Sequence, residues 1–284
     1  MDSQAALQRF LLENNAQDME IYQHDEQAIF KLLHTELNAV KRPWFWKTNP
    51  NYFKKVMLSS VALIKMAMHA KAGGDIEVMG NLLGYPQGDT MWIMDVYALP
   101  CEASETRVNA AEGSEQFQIS YQNSCTHVMK PEKLSGWYHS HPGYGCWLSG
   151  IDVNTQRNQQ MINDPSVAIV IDPKRTIAAG KVEIGAFRCF HTDVKNTAQQ
   201  SGKGLEMIDD DKQKDFGQYA SCYYQLPITV FKSSVDTHVM NNIWNEYWVM
   251  CLSQSPILTQ KKQANESIIN LVNRLNKIQS LHNS

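Results

Sequence analysis

Residues 136–152 read GWYHSHPGYGCWLSGID, from Gly136 to Asp152, and bring two histidines and one aspartate close together in sequence. His139 and His141 are two positions apart at the end of a predicted strand, and a strand directs alternate side chains to the same face. The glycine-rich segment after them can fold back, so that Asp152, at the start of a predicted helix, lies near both imidazoles. Two imidazoles and one carboxylate are the ligands of a hydrolytic zinc site, which leaves a fourth position for water. We therefore predict that His139, His141 and Asp152 bind a single zinc ion.

Such a site also requires a base that is not a ligand, because zinc lowers the pKa of its water toward ~7 and that proton must be accepted. The candidate is Glu77, which lies where a strand is predicted to start directly after a helix. Ser149 is the last member, since its hydroxyl can donate to the oxyanion formed when hydroxide attacks a carbonyl. Ser149 and Asp152 also fit a helix N-cap with an acidic partner, and both interpretations can hold together.

Each of these residues alone has an ordinary structural explanation. Two histidines at this spacing are more often packed or exposed than metal-bound, and Glu77 alone could be a buried, hydrogen-bonded acid. The combination of all five residues favours a metal-dependent hydrolase. No HExxH sequence is present, so the common helical zinc-protease arrangement is excluded.

The hydrophobic pattern around this segment alternates between strand and helix. One helix is predicted over residues 53–72 and another over 152–161. Six strands are predicted, over residues 76–83, 90–98, 134–141, 167–171, 182–190 and about 223–231. Strands interleaved with helices predict an α/β domain with a mixed central sheet flanked by helices.

We divide the chain into three parts. Residues 1–50 are a polar, helix-prone arm, and residues 51–231 are the catalytic domain, with insertions near 101–130 and 191–216. Residues 232–284 form a helical module with broad apolar faces along two predicted helices. We expect these faces to serve assembly, although packing on their own domain is the alternative.

Composition excludes several classes of protein. The formal net charge of the 284 residues is −3, without a basic stripe, which argues against nucleic-acid binding. We find no targeting signal and no apolar run long enough to span a bilayer, so we expect a soluble protein of the cytoplasm and nucleus without a membrane partner. The six cysteines contain no CxxC pair and are expected to be reduced thiols.

The order of Glu77, His-Ser-His-Pro, Ser149 and Asp152 resembles the signature of JAMM (MPN-plus) metalloproteases. From about residue 25 to about residue 255 the chain is similar to the family of catalytic subunits of COP-nine signalosomes. The segments that carry this similarity include YFKKV at 52–56, TRVNA at 106–110 and FKSS at 231–234. The proteasome-lid deubiquitinases share the His-Ser-His-Pro core but are not similar around residues 105–110. Residues 118–133 are diverged, and the tail after residue 255 is shorter than expected of the family.

The resemblance implies an MPN domain and a zinc-dependent isopeptidase. Its substrate would be a modified cullin, cleaved between a cullin lysine and the C-terminal glycine of a ubiquitin-like modifier. Other signalosome subunits, especially a second MPN-domain subunit, would be its partners. Two alternatives stay open, a ubiquitin-chain isopeptidase of the proteasome-lid type and a non-catalytic MPN scaffold. A scaffold needs neither the three ligands nor Glu77, so their presence speaks against it.

A further hypothesis concerns the insertion that precedes the strand of His139. The segment Ser104-Glu105-Thr106-Arg107 of this insertion could reach the open coordination position of the metal. The Glu105 carboxylate could take the position of the water and close the site, while Arg107 could pair with Asp152. The alternative is that both charges are solvated on a loop.

Overall fold

The structure is a computed structural model, and it describes most of the residues between 3 and 241. The described residues are 3–19, 46, 49, 51–103, 108–110, 112–127, 132–179, 181–190, 219–234 and 236–241. The hypothesis about Glu105 and Arg107, the insertion at 191–216 and most of the C-terminal helical module lie outside these residues. None of the described helices has the length and apolar character needed to cross a membrane.

Nine strands of the described residues form one mixed sheet, and two more form a separate antiparallel ribbon. The sheet has the order β1-β11-β2-β4-β3-β7-β8-β9-β10, and the ribbon is β5-β6. The strands are β1 Gln17–Asp18, β2 Lys55–Ser59, β3 Met79–Gln87, β4 Thr90–Ala98, β5 Cys101–Ala103, β6 Val108–Ala110, β7 Lys133–Ser140, β8 Val167–Asp172, β9 Glu183–Cys189, β10 Tyr223–Leu226 and β11 Ile228–Lys232. The helices are α1 Ser3–Glu13, α2 Ser60–Gly73, α3 Ser114–His127, α4 Gly150–Ile162 and α5 Pro173–Ala179. This arrangement confirms the predicted α/β class and mixed sheet.

Helices cover both faces of the sheet and bury a core on each side. On one face α1 and α2 pack against the strands, with Leu7, Leu63 and Ile169 in the same cluster. On the opposite face α4 packs over β8 and β9, with Val153 and Val170 in a second cluster. The first helix of the predicted N-terminal arm therefore contributes side chains to the core of the described domain.

β7 lies near the middle of the sheet, antiparallel to β3 and parallel to β8. Its pairing with β3 skips Ser135, which forms a bulge beside Gly136. Gly136 has φ +142°, and a Cβ there would lie 1.9 Å from the carbonyl oxygen of Val167. Only glycine fits this position, and the bulge sets the register in which Met79 pairs with His139.

Three predicted elements differ from the structure. The helix predicted over 53–72 begins at Ser60, because residues 55–59 form strand β2. Val56 and Met57 point to opposite faces of the sheet and are both buried, so this strand lacks the alternation that identifies half-buried strands. The strand predicted from residue 76 begins at Met79, which places Glu77 in the connection before it.

The last predicted strand, over 223–231, is two strands at distant positions in the sheet. Pro227 separates them, and proline has no N–H to donate within a strand ladder. β10 pairs with β9 at one edge, whereas β11 lies between β1 and β2 on the other side.

Candidate metal centre

β7 delivers both histidines to one place. His139 is its penultimate residue and His141 follows its end, and the two imidazoles are 1% and 3% exposed. Their Nε2 atoms are 2.9 Å apart, as strand alternation predicts for neighbours on one face. Asp152 Oδ2 is 3.4 Å from Nε2 of His139 and 3.8 Å from Nε2 of His141. Within the described part of the chain, these three residues are the one cluster of His, Cys, Asp or Glu whose ligand atoms converge.

The start of α4 positions Asp152. Ser149 is the N-cap, and Ser149 and Asp152 form a reciprocal capping box, as the sequence predicts. The Ser149 hydroxyl donates to Asp152 Oδ2 at 2.7 Å, and the Ser149 N–H donates to the same oxygen at 2.9 Å. Asp152 Oδ2, the oxygen that faces the histidines, is therefore held by two hydrogen bonds from Ser149. The oxyanion role of Ser149 stays a prediction, because its hydroxyl proton points at Asp152 in this conformation.

The donor atoms of this cluster fit a small divalent cation. The Nδ1 atom of His141 lies 2.9 Å from the carbonyl oxygen of Gly145, which can only accept, so this nitrogen is the protonated one. Its Nε2 consequently has a free lone pair directed at the cluster, which is the state a metal ligand needs. The three separations of 2.9, 3.4 and 3.8 Å bracket the ~3.3 Å edge of a tetrahedron with bonds of about 2.0 Å, the length of zinc–imidazole bonds.

The electrostatics of the cluster also favour a cation. Burial opposes the charged form of Asp152, but the two histidines outweigh it and hold the pKa of that carboxyl well below its usual range. Burial lowers the pKa of His141 and keeps it neutral. Burial acts the same way on His139, but there the Asp152 carboxylate prevails and raises the pKa. An ionised carboxylate facing two buried imidazoles attracts positive charge, whether a proton or a metal ion.

Glu77 lies on the same face of the sheet as the histidines. Met79 pairs with His139, and Val78 donates its N–H to the Ser140 hydroxyl at 3.0 Å. Continuing this antiparallel pairing places Glu77 opposite His141. The carboxylate is 5% exposed and accepts a hydrogen bond from the Tyr144 hydroxyl. The structure therefore brings Glu77 beside the cluster without making it one of the three converging residues.

Two supporting residues of the cluster were not predicted from the sequence. Trp137 stacks on the His139 ring with a centroid separation of 4.7 Å, and its indole N–H donates to Gln156 of α4 at 2.9 Å. Asp172, at the end of β8, accepts N–H groups from the turn after His141. Strand alternation could have suggested Trp137, which is two residues before His139. Asp172 is 31 residues from His141 in sequence and carries no local signal.

Comparison with known proteins agrees with this geometry. Residues 51–165 match the family described as JAB1/Mov34/MPN/PAD-1 ubiquitin protease. The chain is 45% identical to COP9 signalosome complex subunit 5 of Aspergillus fumigatus, over 96% of this chain and 81% of that protein. It is 43% identical to COP9 signalosome complex subunit 5a of Arabidopsis thaliana, over 95% of this chain and 75% of that protein. The chain belongs to the COP9 signalosome subunit 5 family.

Membership of the COP9 signalosome subunit 5 family confirms the resemblance noted in the sequence. The COP9 signalosome complex subunit 5 of Gibberella zeae is also similar, 42% identical over 95% of this chain and 79% of that protein. All five predicted site residues lie within the segment that matches the JAB1/Mov34/MPN/PAD-1 family. The family and the convergent His-His-Asp cluster together fit a hydrolase of the JAMM type with a candidate metal site.

Proposed function

We propose that the chain is the catalytic subunit of a COP9 signalosome and a zinc-dependent isopeptidase. Its substrate is a cullin carrying a ubiquitin-like modifier, and it hydrolyses the bond between a cullin lysine and the C-terminal glycine of that modifier. The observation that carries the proposal is the coincidence of two independent findings. The relatives are named as subunit 5 of the signalosome, and in this chain three potential metal ligands converge with Glu77 buried nearby.

Zinc is the metal we propose, because two imidazoles and one carboxylate are its typical hydrolytic ligands. When bound, zinc supplies a Lewis acid that activates water and polarises the carbonyl under attack. His139, His141 and Asp152 would hold it. Both imidazoles are buried, so bulk water has little access to their nitrogen atoms.

Glu77 is the proposed base. Its carboxylate is buried beside His141 and is fixed by the Tyr144 hydroxyl, so it is positioned before substrate arrives. It would take a proton from the attacking water and later release that proton to the lysine amine that leaves. Ser149 would donate to the oxyanion after its hydroxyl rotates away from Asp152.

The second candidate is cleavage of ubiquitin chains. It is favoured by the description of the matching family as a ubiquitin protease. The same five residues would perform the same chemistry, since both reactions hydrolyse an isopeptide bond after a C-terminal glycine. The two candidates therefore differ in the modifier that is recognised and not in the metal centre.

The test is an assay of the full chain assembled with the other signalosome subunits. Equal amounts of complex are incubated with a neddylated cullin and with ubiquitin chains, and the initial rates of modifier release are compared. Faster release from the cullin, lost in Glu77→Gln, supports the proposal. Faster cleavage of ubiquitin chains supports the second candidate. If a metal-loaded complex cleaves neither substrate, the chain is a non-catalytic MPN scaffold.

A further inference from the structure

We propose that Asp172 is a positioning residue for the metal centre. It holds the turn after His141 so that the Gly145 carbonyl fixes the orientation and protonation of the His141 ring. The inference rests on the metal centre of the proposed function, and it does not depend on which modifier is cleaved. Asp172 belongs neither to the three ligands nor to the predicted catalytic residues.

Asp172 is fully buried and accepts four backbone N–H groups. Its Oδ1 accepts from Lys174 at 3.0 Å and from Arg175 at 2.9 Å, which satisfies the first turn of α5. The same oxygen accepts from Gly143 at 3.0 Å. Its Oδ2 accepts from Gly145 at 2.8 Å. One carboxylate thus joins the end of β8, the start of α5 and the turn that follows the histidines.

The Gly143–Gly145 turn is the element through which Asp172 reaches the metal centre. Both glycines have positive φ, +99° for Gly143 and +83° for Gly145, a backbone conformation that other residues rarely adopt. The Gly145 carbonyl accepts the Nδ1–H of His141 at 2.9 Å. Partners of this kind orient a ligating imidazole and fix which nitrogen carries the proton, and losing one typically costs about 10- to 100-fold in metal affinity.

Oδ2 of Asp172 accepts the N–H of Gly145, whereas Oδ1 accepts the other three N–H groups, and this makes a sharp test possible. Asparagine has the same shape but only one oxygen, because the other position becomes an NH₂ donor. Keeping the oxygen at the Oδ1 position preserves three of the four hydrogen bonds. The NH₂ group then faces the Gly145 N–H, donor against donor, so the turn keeps its hydrogen bond at Gly143 and loses the one at Gly145. Asp172→Asn therefore removes the link to His141 while leaving the cap of α5 in place.

The experiment measures binding of Zn²⁺ alone to the full chain, by competition with a chromogenic chelator. Asp172→Asn should weaken zinc binding about 10- to 100-fold. In the metal-free protein labelled with ¹⁵N-histidine, the parent should show the Nδ1–H tautomer of His141, and the variant should lose it. The matched control is Asp164→Asn, which alters another buried aspartate, paired with Arg188 at 3.0 Å and located before the start of β8, whereas Asp172 ends that strand. It should lose thermal stability but keep zinc affinity and the tautomer.

A purely structural role of Asp172 predicts a different result. Folded Asp172→Asn would then bind zinc with the affinity of the parent and keep the His141 tautomer. Alternatively, Asp164→Asn would reduce zinc affinity as much as Asp172→Asn does. Either result overturns the inference. If Asp172→Asn does not fold, Gly145→Ala tests the same link, because a methyl group at φ +83° displaces the turn while Asp172 stays intact. It should also weaken zinc binding and lose the tautomer, and retention of both overturns the inference. A parent protein that binds zinc but cleaves neither substrate would refute the proposed function without touching this result.

Discussion

Replacement of Glu77 by glutamine separates metal binding from proton transfer. Glutamine keeps the size of the side chain, and its carbonyl oxygen can still accept the hydrogen bond that the Tyr144 hydroxyl donates to Glu77. The neutral amide cannot accept a proton from water, so the substitution removes the basicity of the side chain together with its charge. The three converging ligands do not include Glu77, and zinc content should therefore stay at the level of the parent.

The size of the effect follows from the burial of Glu77. The carboxylate is 5% exposed, so bulk water has little access to replace it as a proton acceptor. General-base catalysis typically contributes about 10²–10⁴-fold to a rate, equivalent to ~2.7–5.5 kcal/mol in activation free energy. We expect kcat on the modified cullin to fall within this range, with zinc stoichiometry and Tm close to the parent values. The rate is measured in single-turnover experiments with the assembled complex, and zinc by elemental analysis of the same sample.

The matched control is Asp75→Asn, which removes a carboxylate two positions away. Asp75 is largely exposed and pairs with Lys174 at 2.6 Å, and an exposed pair of this kind contributes only about 0–1 kcal/mol. Activity and zinc content should both be unchanged in this variant. The reasoning about Glu77 is refuted if Glu77→Gln loses its zinc, or if it cleaves the substrate at a rate within about threefold of the parent, far short of the loss expected for a general base.

Three further predictions concern the ligands, the cap and the core. Asp152→Asn should lose most zinc while the chain stays folded, since it removes the charge of a ligand that contacts both histidines, and zinc bound at parental affinity would contradict the assignment. Ser149→Ala should lower stability by about 0.5–2 kcal/mol through loss of the N-cap. With zinc saturating, an oxyanion role would also lower kcat ~10²–10³-fold, whereas a role in the cap and in holding Asp152 would leave kcat unchanged. Leu7→Ala should lower the free energy of unfolding by about 2–5 kcal/mol, because this side chain is 2% exposed within the main core. The change is measured by denaturant unfolding. An effect below ~0.5 kcal/mol would show that α1 is not part of the folded domain.

The sequence predicts the converging His139, His141 and Asp152 cluster because its signal is local. His139, Ser140 and His141 follow strand alternation, and the capping pattern of Ser149 and Asp152 lies within four residues. The sequence also predicts the strand over residues 90–98 with its observed bounds, since Gly88 precedes it and Pro100 follows it. Short-range periodicity and capping are thus sufficient to predict the fold class and the convergence of these three residues.

The remaining features depend on contacts between segments that are distant in the sequence. The sequence pattern predicts a helix across β2, because a strand buried on both faces shows a continuous apolar run in place of alternation. Residues 223–231 form two strands near opposite edges of the sheet. Pro227 marks the break between β10 and β11, but the position of each strand depends on the strand with which it pairs. The hydrogen bond of Tyr144 to Glu77 joins residues 67 positions apart, and no pattern within either segment indicates it.

The register of β7 explains how such distant residues meet at one centre. On one side, antiparallel pairing of Met79 with His139 leads to Glu77 opposite His141. On the other side, parallel pairing of Ser140 with Ile171 leads to Asp172 beside His141, whose own N–H donates to the Ile171 carbonyl. The proposed base and the proposed positioning carboxylate therefore reach the same histidine from the two neighbours of one strand. Because a shift of one residue would turn the imidazoles to the opposite face, the bulge at Ser135 and the glycine beside it contribute to the candidate metal centre by fixing this register.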